Sequence, residues 1–189
     1  MRKLSTIVLA LTSLSALALV GCAGTATGQA GSASAPMTMA EYEAKMSNIE
    51  SRAMTMGKDM NTKMADSMKG ANPMDPAAMK AAMPKMAPIA KQFREGLGKL
   101  VDEMKAINPP AELKEFHKLQ GKQADSEMKD VDGMVAAMEK GDMTALSKMG
   151  MDSAARQAKQ QEEIDAALKK AGFDPAKYHT DKKFVKLTK

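Results

Sequence analysis

The chain contains no tryptophan, two tyrosines, four phenylalanines and one cysteine among 189 residues. Each shortage excludes something. A single cysteine permits no disulfide within the chain, so packing must hold the fold. So few rings leave little for stacking on bases, and a formal charge of +5 without a dense basic patch argues against a nucleic-acid partner. β-Branched and aromatic residues are too sparse to build sheets. Enzyme signatures are missing too: no G-x-S-x-G, no phosphate-binding glycine loop, no H-E-x-x-H and no C-x-x-C-H. A di-iron bundle needs Glu three residues before His, but Lys114 precedes His117 and Ala176 precedes His179 at that spacing. The expectation is a protein without catalytic residues.

The lone cysteine sits in an informative place. Arg2 and Lys3 open the chain, an apolar run from Ile7 to Val20 follows, and Leu19-Val20-Gly21-Cys22 closes it. A basic start, a short apolar stretch and a small residue before the cut predict an export signal over 1–21, too short to remain as a span. The Leu-Val-Gly-Cys ending resembles the lipobox of bacterial lipoproteins. That resemblance implies cleavage before Cys22, its lipidation (palmitate included) and a membrane partner reached through the lipid. Ala23 stands where the family uses Asp for inner-membrane retention, which implies the outer membrane, facing the periplasm, in a Gram-negative cell. The mature chain would keep 168 residues and a charge of +3, enough for one domain. No later stretch approaches 18 apolar residues.

Residues 22–36 hold Cys22 and then small and polar residues ending in Pro36, a composition expected to form a flexible tether of roughly 20 Å r.m.s. span. Order should begin at Met37. Thr38 and Glu41 fit a capping box, with Met37 and Tyr42 as its hydrophobic staple. The stripe Tyr42, Met46, Ile49, Ala53, Met56, Met60, Met64 and Met68 advances in threes and fours, as one helix face does. Asp75-Pro76 restarts a helix, in which Pro84 and Pro88 predict a kink or a short broken segment. Asn108-Pro109-Pro110 ends it. A third helix should run from about Pro110 to Lys140, with His117 and Gln120 on its inner side. Gly141-Asp142 is a stop followed by a cap, and a fourth helix should run to Gly172.

These signals predict an all-α fold: a four-helix up-down bundle over 37–173, then a basic C-terminal tail over 174–189. Pro109-Pro110-Ala111-Glu112-Leu113, His117 and the Lys140–Leu146 run resemble segments of a loose set of uncharacterised secreted bacterial helical proteins. That resemblance implies the fold and assigns no catalysis. The tail holds five lysines against two aspartates and either packs on the bundle end or stays mobile. Its Lys182, Lys183, Lys186 and Lys189 are candidates for contact with anionic lipid or an envelope polyanion.

Methionine is abundant, at 20 residues. Met at i, i+4 is what a core stripe looks like when Met replaces Leu. Thioethers are also soft ligands that select Cu(I) or Ag(I), so Met56, Met60, Met64 and Met68, with Met79, Met83 and Met86, are candidate metal ligands alongside His117 or His179. Methionines off the stripes, such as Met37, Met39, Met54 and Met151, could serve as an oxidant sink. A Met-rich face could equally adapt to a hydrophobic partner. Glu162, Glu163 and Asp165 read as a solvated face paired with Lys159 and Lys169. The leading expectation is an envelope-anchored lipoprotein with a structural or interaction role. Cu(I)/Ag(I) binding is the first alternative and an oxidant sink the second.

Overall fold

The computed structural model describes residues 36–69 and 75–187. The signal over 1–21, Cys22, nearly all of the tether and Lys189 lie outside them. The described residues form helices α1 (Met39–Ser67), α2 (Pro76–Lys105), α3 (Lys114–Lys140), α4 (Met143–Lys170) and α5 (Pro175–Asp181), with a 3-10 turn at Ala111–Leu113. The fold is all-helical. Extended pairing among the described residues is limited to one isolated antiparallel bridge between Phe173 and Lys186.

Local chemistry sets the boundaries. The Thr38 hydroxyl accepts from the Glu41 amide at 3.3 Å while the Glu41 carboxylate accepts from the Thr38 amide at 2.9 Å, the reciprocal cap expected of that sequence. Asp75 accepts from the Ala77 amide and Asp142 from the Ala145 amide, each at 2.9 Å. Gly141 ends α3 at φ 64°, a left-handed turn that glycine adopts without steric cost.

The prolines correct one half of the expectation. α2 runs unbroken through Pro84 and Pro88, so no broken segment forms. Both rings lie on the exposed face, where water can satisfy the carbonyls they leave without a donor.

Successive helices run side by side, α1 on α2, α2 on α3 and α3 on α4. Arg52 pairs with Glu103 at 2.7 Å and Lys63 reaches Gln92 at 3.4 Å. Arg94 pairs with Asp132 at 2.7 Å, and Lys105 with Asp125. Arg156 reaches back to Asp130, and Met149 lies against Gly133. Along each pair, rising numbers on one helix meet falling numbers on the next, so neighbours are antiparallel. These bridges are mostly exposed and contribute at most about 1 kcal/mol each. They set register more than stability.

The core falls into two clusters. One joins Tyr42, Met46 and Ile49 of α1 to Leu100 and Met104 of α2, Phe116 of α3, Ile164 and Leu168 of α4, and Phe173 and Tyr178 beyond. The other holds Met60, Met64, Met83, Met86, Phe93, Met128, Val135 and Met138, all from α1–α3. α4 gives this second cluster no fully buried residue; Met143 and Leu146 pack at its margin. α1 and α4 are not among the helix pairs that run side by side in the described residues. They meet through the first cluster.

Methionine ends rest on glycines at all three helix interfaces: Met56 over Gly96, Met128 over Gly98 and Met149 over Gly133. A Cβ added at Gly96 would lie 2.2 Å from Met56 Cε, and one at Gly133 would lie 2.8 Å from Met149 Cε. The unbranched thioether fills the notch that a missing side chain leaves. A double-mutant cycle read by urea unfolding tests this seating. In a Met56→Ala background, Gly96→Ala should stabilise by about 1 kcal/mol through helix propensity. With Met56 in place that gain should shrink or reverse, because the methyl must be displaced. Additive effects would contradict the seat.

Candidate functional site

Two places gather the chemistry-bearing side chains. At the end remote from Met37, the two methionine sets named in the sequence merge. Met60 and Met64 of α1 and Met83 and Met86 of α2 are buried in one cluster, with Met56 and Met68 partly buried against it. Met83 is 1% exposed. Met128 and Met138 of α3 join the same cluster, so the thioethers there face inward. Met79 is half-buried and lies outside it. A groove of about 370 Å³ runs between α1 and α2, lined by Met56, Met60, Lys63, Phe93 and Lys99. Among the described residues, no three His, Cys, Asp or Glu side chains gather as metal ligands would.

The other named residues are dispersed. His117 sits at the opposite end, committed to Tyr42. Met37, Met39 and Met54 are partly buried, Met37 and Met39 against the first cluster. Only Met151 of that group is exposed, at 61%. Asp165 takes His179 as its partner at 2.7 Å, where lysine pairing was expected. Glu162 and Glu163 are exposed. The tail does not stay apart: Lys182 stands 5.3 Å from the Tyr178 ring centre and Lys186 4.0 Å from that of Phe173. Lys183 is exposed.

The second place is the end where the chain enters from Pro36. Five of the six aromatic side chains gather there, Phe93 being the exception. Phe184 touches Tyr42, Phe116, Phe173 and Tyr178, with ring centres 5.0–5.8 Å apart. A polar chain threads this apolar packing. The Tyr42 hydroxyl lies 3.0 Å from His117 Nδ1 and 3.4 Å from Gln120 Oε1. Gln120 Nε2 donates to the Tyr178 hydroxyl at 2.8 Å. The Phe184 amide donates to the Glu43 carboxylate at 2.9 Å.

His117 also bonds the Met104 backbone carbonyl. That carbonyl needs the ring's other N–H, which leaves Nδ1 to accept from Tyr42. Burial pushes the His117 pKa below its ordinary value, with the carbonyl opposing. Burial and the nearby Glu50 push both tyrosines up, so they stay protonated donors. Burial also raises Glu50, and Lys182 opposes that shift. No buried side-chain N or O among the described residues lacks a partner. The arrangement locks helices together. It positions no free nucleophile.

Sequence reasoning placed His117 and Gln120 on the inner face of α3 but missed their joint attachment to Tyr42 and Tyr178. The available signal was the pair itself, two polar residues three apart on an apolar face. Comparison with protein-family models, with curated proteins and with solved structures finds no match.

Two effects should follow. Tyr42→Phe leaves His117 Nδ1 buried without its donor and should cost about 1–3 kcal/mol by urea unfolding. His117, with its folded pKa depressed, stabilises fully above the ordinary value of 6.5. That contribution is lost as pH falls from there through the folded pKa, because the unfolded chain then binds more protons. Glu50 and Glu127, both raised by burial, act in the opposite sense, but wild type and His117→Gln share them. Wild type should therefore lose more stability than His117→Gln between pH 7.5 and 5. Equal losses would contradict the assignment.

Proposed function

We propose that this chain is a lipoprotein of the bacterial envelope, anchored through lipid on Cys22, with an interaction or structural role and no catalysis. On this reading its long helices form an up-and-down four-helix bundle closed at the tethered end, with the outer membrane as its site in a Gram-negative cell. The Leu19–Cys22 resemblance supports the anchor, and the antiparallel neighbours support the bundle.

One observation carries the interaction role. The molecule has unlike ends. The end entered from the tether is aromatic, hydrogen-bonded and closed by all four long helices. The far end is packed with methionine, and α4 covers it only at the margin. Those thioethers are buried, but being flexible and polarisable they repack with little penalty, which suits a core that can open to an apolar partner segment. An anchored module should be firm where it is held and adaptable where it binds.

The merging of Met60, Met64, Met83 and Met86 into one cluster favours a second reading, Cu(I) or Ag(I) binding by thioethers. An anaerobic Cu(I) titration against a competing chelator separates the two. The interaction reading expects no copper withheld from the chelator. It also expects Met→Leu at 56, 60, 64 and 68 to keep helicity, at under about 1.5 kcal/mol per swap. Tight Cu(I) binding that this variant loses while staying helical would replace the interaction role with metal buffering.

A further inference from the structure

The tethered end carries a face that the hydrogen-bonded network leaves uncovered. Residues 182–187 fold back as a strap over the end of α4: the Asp174 amide donates to the Val185 carbonyl and the Leu187 amide to the Gly172 carbonyl, each at 2.9 Å. The strap turns tightly at Phe184, where the Val185 amide donates to the Lys183 carbonyl at 3.1 Å. Phe184 turns into the aromatic cluster and Lys186 lies over Phe173. Val185 and Leu187 remain 42% and 47% exposed. With Met151, in the half of α4 remote from the strap, they are the exposed large apolar side chains among the described residues.

The chain segment that carries them is basic. The segment 169–187 holds six lysines against Asp174 and Asp181. Lys169, Lys170, Lys177 and Lys183 are exposed and form no ion pair among the described residues. Two exposed apolar side chains on a segment with unpaired lysines match the chemistry of an anionic lipid surface: acyl chain below, phosphate above.

We propose that this face docks on anionic lipid, with Val185 and Leu187 entering the headgroup layer and Lys177 and Lys183 against lipid phosphates. Where the tether enters argues for lipid as the occupant. The Met37 amide donates to the Asn108 carbonyl at 3.1 Å, which holds the entering chain at this end. A tether of the 23–36 composition spans roughly 20 Å, while a 30-residue helix is about 45 Å long. An anchor at Cys22 therefore keeps the strap, and not the methionine end, at high effective concentration over the membrane. The placement over the membrane rests on the lipid-anchor reading; the exposed lysines attract anionic lipid with or without it.

The chain has no tryptophan, so one introduced indole reports its own surroundings. Val185→Trp and Met151→Trp are made in the full lipidated chain and reconstituted with brominated vesicles. One set is phosphatidylglycerol with phosphatidylethanolamine and the other is phosphatidylcholine alone. Leu187→Trp is a second reporter if Val185→Trp loses helicity. On the anionic vesicles, quenching at Val185→Trp should exceed that at Met151→Trp about threefold or more. Adding Lys177→Glu and Lys183→Glu should bring it down to the Met151→Trp level while the protein still floats with the vesicles.

Equal quenching at the two positions, indifference to charge reversal, or equal quenching on both lipids would overturn the proposal. So would a strap that stays in water on vesicles but shifts its emission with a soluble polyphosphate, which would assign the face to a polymer. Failure to float with phosphatidylcholine would overturn the anchor instead. Docking is then judged on the anionic vesicles alone.

Discussion

The hydrogen bond from Tyr42 to His117 fastens the first turn of α1 to the first turns of α3, and the packing at that end depends on it. Tyr42 is fully buried and His117 nearly so. Around their bond, Gln120 ties Tyr178, and Phe184 closes over both tyrosines. An apolar residue at 117 would leave the Tyr42 hydroxyl relying on a 3.4 Å contact with Gln120, and a buried hydroxyl without a good partner is costly. The same bond couples α4 indirectly. The strap residue Phe184 packs on Tyr42, and its amide is held by Glu43, so α1 and the chain beyond α4 share a surface although α1 and α4 do not run side by side.

Methionine does a different job from the aromatic rings. The rings are few, rigid and concentrated. The methionines are many and flexible, and at the three interfaces their ends lie over glycines. Rigid rings in edge-to-face contact specify one arrangement, whereas thioether packing tolerates several. Unequal side-chain stiffness thus divides the molecule into a specified end and an adaptable one.

What was legible in the sequence was local. The Thr38–Glu41 box, the Asp75-Pro76 restart and the Gly141-Asp142 stop all appear where residue chemistry placed them, because each device acts within four residues. The stripe of threes and fours put Met60 and Met64 on one face, but their burial was left open by the sequence and is a finding of the structure. Pro84 and Pro88 leave the helix unbroken because both rings land on its exposed face, a placement that a proline in the sequence does not announce. The candidate metal ligands were only partly joined: His117 and the methionine cluster lie at opposite ends, and linear spacing carries no such information. The strap was illegible for the same reason. Phe184 meets Glu43 across 141 residues, a contact that no local pattern announces.

α4 is packed into the core at one end by Ile164, Ala167 and Leu168 and only at the margin at the other. Native-state hydrogen exchange along α4 tests that most directly. Backbone amides of 160–170, beside Ile164 and Leu168, should exchange only with global unfolding, while those of 147–157 should exchange through local opening with much lower protection. Uniform protection along α4 would contradict the division of the molecule into a locked end and an adaptable one.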